Sequence, residues 1–150
     1  MRALVQRVIK ASVVVNEKLV SKIDNGLLVF IGFTHNDTID DIEYIVNKII
    51  NLRIFDDSNG VMNLSVIDKN YEVLSVSQFT LYGDTKKGNR PSYVNALNHE
   101  EASKLYDIFN QKLKEKLHDK VSTGIFRSDM KVSLINDGPI TIMIERWWLL

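Results

Sequence analysis

Two polar stretches carry the side chains from which chemistry could be built. One is Ser77-Gln78-Phe79-Thr80, two hydroxyls and an amide grouped around an aromatic ring. Phe79 suits stacking on a flat ring, worth roughly 1–3 kcal/mol per nucleic-acid base. Ser77, Gln78 and Thr80 offer donors and acceptors to a neighbouring polar group. The same pattern also reads as a strand end whose hydroxyls satisfy nearby backbone groups. The other stretch is Asn136-Asp137-Gly138-Pro139-Ile140-Thr141. Pro139 lacks an N–H and has a fixed φ, and it disfavours the right-handed helical region at Gly138. Either this is a stiff, thin corner that brings carbonyl oxygens close to a ligand, or it is the Asp-Gly turn of an ordinary hairpin. Neither stretch holds a group that titrates near neutral pH, so neither supplies an obvious general base.

Other reactive patterns are missing. His35, His99 and His118 are not at metal-ligand spacings, and His99 and His118 read as structural residues at the two ends of a helix. There is no H-E-x-x-H, no G-x-S-x-G and no phosphate-binding G-x-x-x-x-G-K. The absence of cysteine excludes disulfides, thiolate chemistry and cysteine metal sites. Asp56 to Gly60 has the composition of a calcium loop, but Phe55 falls where the first acidic ligand belongs and Val66 where the closing glutamate belongs. Lys86, Lys87 and Arg90 cluster in the loop Gly83 to Pro91, either as phosphate contacts or as a solvated basic turn. With 19 Lys and Arg against 19 Asp and Glu, the net charge is zero. Any nucleic-acid contact should therefore be small and local.

The elements that must position these residues can be read from periodicity. A chain of 150 residues, 45% hydrophobic, predicts one domain over 1–150. No apolar run approaches the ~20 residues of a membrane helix, and Arg2 and Arg7 interrupt any secretory signal, so a cytoplasmic location is expected. Residues 1–15 alternate as a strand, with Val5, Arg7 and Ile9 on one face. Leu19 to Ile23 returns, and Leu27 to Phe33 is an apolar run fit for a strand buried on both faces. Ile39, Ile42, Ile45, Val46 and Ile49 predict an amphipathic helix over 39–51 with a cap near Thr38. Leu52 to Phe55 and residues 72–82 read as strands. Asn98 opens a second helix, with Ala102, Leu105, Tyr106, Phe109, Leu113 and Leu117 inward. Met130 to Ile135 and Ile140 to Arg146 read as the two arms of a final hairpin. The order β-β-β-α-β-β-loop-α-β-β predicts an α+β fold, mainly antiparallel, with two helices. Trp147-Trp148-Leu149-Leu150 is an apolar tail that should pack down or lie in an interface.

Together these motifs resemble one family. Ser77-Gln78-Phe79-Thr80-Leu81, then Lys87-Gly88-Asn89-Arg90-Pro91-Ser92, then Thr123-Gly124, then Met130-x-Val132-Ser133-Leu134-x-Asn136-Asp137-Gly138-Pro139-Ile140-Thr141, closely resemble the D-aminoacyl-tRNA deacylases. The opening Met1 to Val8, with Ala11-Ser12-Val13, is similar too, so the resemblance spans the chain. Arg127-Ser128 departs from it, since small residues are more usual there, and Trp147-Trp148 matches no motif. The resemblance implies a homodimer with a strongly curved, barrel-like sheet. It implies hydrolysis of the ester joining a D-amino acid to the terminal adenosine of tRNA, and of glycine mischarged on tRNA-Ala. Gly138-Pro139 would be a cis peptide reaching into the partner's pocket as a chiral filter. That suits the physics, because rejecting an enantiomer needs a rigid wall and a flexible apolar pocket discriminates by only about 1–3 kcal/mol per methylene. Ser77 and Phe79 would line the terminal adenosine, with Gln78 and Thr80 at the ester. A water activated with help from the RNA 2′-hydroxyl fits the missing base better than Thr80 as nucleophile. No metal or cofactor is implied. The implied partners are the aminoacyl-tRNA 3′ end and a second copy of the chain, with neither membrane nor DNA. The alternative is a non-catalytic module that binds the tRNA acceptor end.

Overall fold

The computed structural model describes residues 1–146, so the Trp147-Trp148 tail lies outside the described residues. Eight strands and three helices succeed one another: β1 Arg2–Val15, β2 Lys18–Ile23, β3 Gly26–Gly32, α1 Ile39–Asn51, β4 Phe55–Asp56, β5 Met62–Leu64, α2 Val66–Lys69, β6 Glu72–Ser77, α3 His99–Leu117, β7 Val121–Thr123 and β8 Lys131–Glu145.

β1 organises the sheet. Its turn into β2 places Asn16 and Glu17 at φ 49° and 64°, the backbone twist that a two-residue hairpin requires. On one edge, Arg2 to Val8 pair with β3 and Ala11 to Val15 with β2. On the other edge β8 pairs with β1 from end to end. The pairing shifts register on both sides of Val8, and such a bulge reverses the faces of the residues beyond it. Val8 is consequently 1% exposed and Ile9 45% exposed, the opposite of simple alternation.

Four findings refine the expected architecture, of which the near closure of the sheet agrees with the barrel-like curvature that the resemblance implies. First, the sheet is mixed: β1 pairs antiparallel with β2, β3 and β8, while β3, β6 and β7 run parallel to one another. Second, it is nearly closed: the Ser21 hydroxyl on β2 donates to the Thr123 carbonyl on β7, bringing the two ends of the sheet together. Third, a third helix stands between β5 and β6. Ser65 and Asp68 cap it reciprocally, at 3.1 and 2.9 Å, and left-handed Asn70 at φ 53° ends it. Four residues are too few for a 3.6-residue period to show. Fourth, the last two runs are not a hairpin, since one strand, β8, carries both.

The core has two parts. Val8, Ala11, Val13, Ile23, Leu28, Leu74 and Val76 fill the inside of the curved sheet. On its outer face, Ala3, Val5, Leu27, Val29, Ile31 and Val73 meet α1 and α3. β3 is thus buried on both faces, as its apolar run predicts. α1 is held by a capping box between Thr38 and Asp41 and by buried Ile42, Ile45, Val46 and Ile49, each worth about 1.5–3 kcal/mol of burial. Ile39 stays half exposed. A polar clamp fixes α3 to β6. Tyr106 donates its hydroxyl to the Ser75 carbonyl at 2.8 Å, and Ser75 Oγ donates to Asn110 Oδ1 at 2.6 Å, both out of water. Burial holds the Tyr106 phenol above its ordinary pKa. This clamp sits two residues before Ser77, where β6 enters the site.

Candidate active site

β6 ends at a cleft of about 420 Å³. Gln78 leaves the strand while its N–H still donates to the Ile31 carbonyl at 2.8 Å, and Phe79 to Tyr82 then coil into one 3-10 turn. Gly32 lets that turn lie flat on β3, because a Cβ there would come within 2.9 Å of the Gln78 carbonyl. Ser77, Gln78 and Phe79 line the cleft. Phe79 is 45% exposed, a large apolar area to leave in water without a partner. Its ring is held edge-on by Tyr93 at 5.1 Å and by His99 at 5.7 Å. His99 in turn meets Phe126 at 6.4 Å, and Phe126 lies 5.9 Å from Tyr106. This aromatic row fixes the orientation of Phe79, a condition for stacking a planar ligand on it.

Thr80 is exposed one residue beyond the lining of the cleft. Gln78 Nε2 donates to its Oγ1. A threonine hydroxyl that accepts there keeps its own hydrogen to donate elsewhere. Among the described residues no hydrogen bond or ion pair joins Thr80 to a carboxylate or an imidazole; its side-chain partner is the Gln78 amide.

The far wall of the cleft comes from the loop between β7 and β8. Gly124 admits the Met130 side chain, whose Sδ would lie 2.7 Å from an added Cβ. Phe126, Arg127, Ser128 and Asp129 continue along the wall. Arg127 sits at φ 64°, and Asp129 is engaged by Lys131 Nζ at 3.1 Å.

The Gly138-Pro139 corner does not line the cleft of its own chain. β8 pairs Asn136 with Val8 and Thr141 with Gln6. Asp137 to Ile140 therefore stand opposite Arg7 alone and are extruded from a strand that continues on both sides. The Gly138–Pro139 peptide is cis, and Gly138 has φ 113°, in the region that side chains disfavour and glycine tolerates. Gly138 and Pro139 are exposed, but the base of the corner is fixed. Asn136 Nδ2 donates to the carbonyls of Arg7 and Ile140, both at 3.0 Å. Thr141 Oγ1 donates to Asn136 Oδ1 at 3.1 Å.

Arg7 underlies this network. Its side chain is only 11% exposed. Its Nη1 donates to the Ile54 carbonyl at 2.7 Å, and its Nε lies 3.1 Å from Asp137 Oδ2. That Nε contact has ion-pair distance without hydrogen-bond alignment, so the guanidinium acts on Asp137 mainly as a charge.

The basic loop lies apart from the cleft. Lys86 lines a second hollow with Arg2, Tyr82 and Glu145, and Lys87 and Arg90 are exposed. Among the described residues no group of three or more His, Asp or Glu side chains could hold a metal ion. No described helix is long and apolar enough to cross a membrane.

Reading the sequence alone missed Arg7, Tyr93, His99, Phe126 and Arg127 as parts of the site. For His99 a signal existed: the Asn98 cap puts it in the first turn of α3, and a first-turn residue can face a neighbouring strand end.

A family model described as D-Tyr-tRNA(Tyr) deacylase matches residues 4–145. Proteins named D-aminoacyl-tRNA deacylase from Thermosipho melanesiensis and Flavobacterium psychrophilum are 54% and 55% identical to this chain over 145 residues. In each case 97% of this chain and 97% of the relative are covered. A solved structure described as c-Myc DNA Unwinding Element Binding Protein has a TM-score of 0.94 at 41% identity, covering 99% of this chain and 100% of that one. Another, "Structural Analysis of a probable eukaryotic D-amino acid tRNA deacylase", has a TM-score of 0.82 at 19% identity and shares the fold.

Proposed function

The chain belongs to the D-Tyr-tRNA(Tyr) deacylase family, and from that premise we propose that it hydrolyses the ester of D-aminoacyl-tRNA in the cytoplasm. Water adds to the ester carbonyl carbon, and the bond to the ribose oxygen breaks. That oxygen takes a proton, leaving free D-amino acid and tRNA. The terminal base stacks on Phe79. Ser77 holds a polar edge of the nucleoside, and Gln78 and Thr80 stand at the ester: Gln78 donates to Thr80 Oγ1, and Thr80 donates to the reacting ester or its water. Since no described carboxylate or imidazole is joined to Thr80, the neighbouring RNA 2′-hydroxyl relays the proton.

One observation carries the enantiomer selection. An exposed corner of nearly bare backbone, braced from beneath by Arg7 and Asn136, is absent from its own cleft. In this proposal two copies pair, and each lends Gly138 and Pro139 to the other's cleft. Main-chain carbonyls then face the substrate α-carbon, so an L side chain meets a wall. Glycine has no side chain to reject, and glycyl-tRNA mischarged on tRNA-Ala is therefore also a substrate. Lys86, Lys87 and Arg90 reach phosphates further along the RNA.

Incubation with D-Tyr-tRNA and L-Tyr-tRNA tests the proposal. Release of tyrosine from the D ester alone is expected. Equal rates for the two would end the enantiomer reading, and saturable binding without release would make the chain an acceptor-end binding module.

A further inference from the structure

Resting on the reading that the cleft takes the 3′ end of an RNA, the geometry points to Arg127 as the residue that grips the phosphodiester on the 5′ side of the terminal nucleoside. Among the described residues Arg127 is the one lysine or arginine lining the cleft. It is exposed, and no described residue partners its guanidinium. The nearest carboxylate in the sequence, Asp129, is engaged through both oxygens by Lys131 Nζ at 3.1 Å, so Arg127 is left unneutralised beside the cleft. Phe79 lines the same cleft. A base stacked on Phe79 leaves its sugar and phosphate in the cleft that Arg127 also lines. A guanidinium is permanently charged and presents a planar fork of donors that matches two phosphate oxygens. The backbone sits at φ 64°, a conformation that glycine adopts freely and arginine does not, so the cation stands where the loop itself favours a smaller residue. Lys86 lines a different hollow, and the basic loop addresses a separate stretch of the RNA.

The test compares Arg127→Gln and Arg127→Lys with the unaltered protein, because both keep a long stem at the same backbone conformation. Two readouts are taken. One is the ratio of kcat/KM for D-Tyr-tRNA to kcat/KM for 3′-O-D-tyrosyl-adenosine, which has no phosphate. The other is the dependence of uncharged-tRNA Kd on salt. Arg127→Gln should lower the ratio about tenfold, as loss of one charge-assisted hydrogen bond would, and reduce the log–log salt slope by about 0.7. Arg127→Lys should restore the slope and most of the ratio. An unchanged slope and ratio in Arg127→Gln would overturn the assignment, as would an equal loss on both esters. If the unaltered protein binds tRNA but hydrolyses neither ester, the proposed reaction fails, and the salt slope still decides the phosphate contact.

Discussion

Replacing Arg7 by methionine asks whether the corner works because it is held. Methionine keeps an unbranched stem in the space while removing the charge and its donors. Two contacts go. The Ile54 carbonyl loses a donor at 2.7 Å in a buried setting, and stranding such a group costs about 1–3 kcal/mol. Asp137 loses a cation at 3.1 Å, but its side chain is 46% exposed, so that contact contributes no more than about 1 kcal/mol. Together the stability loss should be about 1–4 kcal/mol, a large share of the ~5–15 kcal/mol of an ordinary domain. Urea unfolding at fixed protein concentration measures it. The functional consequence should be disproportionate. A misplacement of about 1 Å at a reacting site can cost about a hundredfold, so the ratio of D to L hydrolysis should collapse while the Asn136 bonds keep the strand paired. A loss below about 0.5 kcal/mol with intact enantiomer preference would refute the reasoning, and would mean that Asn136 alone braces the corner.

Three further outcomes are expected. Gly138→Ala places a Cβ 2.9 Å from Ile140 Cγ1 and 3.1 Å from Arg7 Nη2 at φ 113°; it should cost about 1–3 kcal/mol and admit the L ester, and unaltered discrimination in steady-state assays would exclude the wall. Thr80→Ala should keep substantial activity if water is the nucleophile, whereas an acyl-enzyme trapped on Thr80 by mass spectrometry would reverse that assignment. Burial raises the phenols of Tyr82 and Tyr106 above their ordinary 10.0, so the folded state holds protons that the unfolded state releases; stability is therefore full below pH 10 and falls as pH rises towards the folded values, a decline that urea titrations should find shallower in Tyr106→Phe.

How much of this was readable beforehand depends on the range of the interaction. α1 was visible because its isoleucines recur at helical spacing and Thr38 marks its start, both local facts. β3 announced itself as an unbroken apolar run. The last strand misled because alternation on both sides of Asp-Gly fits two arms as well as one interrupted strand. Only β1, long enough to pair with both halves, distinguishes the cases, and pairing is not a local property. Arg7 looked like any polar residue on an alternating strand. Its meaning comes from Asp137 and Ile54, far along the chain. The bulge at Val8 exchanged inside for outside, which no pattern of period two can foresee. Phe79 and the Gly138-Pro139 corner were legible as chemistry, but the row of Tyr93, His99 and Phe126 that steadies Phe79 is assembled from three separate segments.

A corner that leaves a strand and re-enters it, with pairing resumed on both sides, is a module. Because Asn136 and Thr141 each stay paired with β1, across the register shift between them, the four residues between them can be exchanged, shortened or lengthened while the strands on either side keep their partners. In the proposed reaction, substrate preference and architectural integrity are thereby written in different places. Grafting alternative segments between these two anchors offers a route to ester hydrolases with new stereochemical tastes on an unaltered frame.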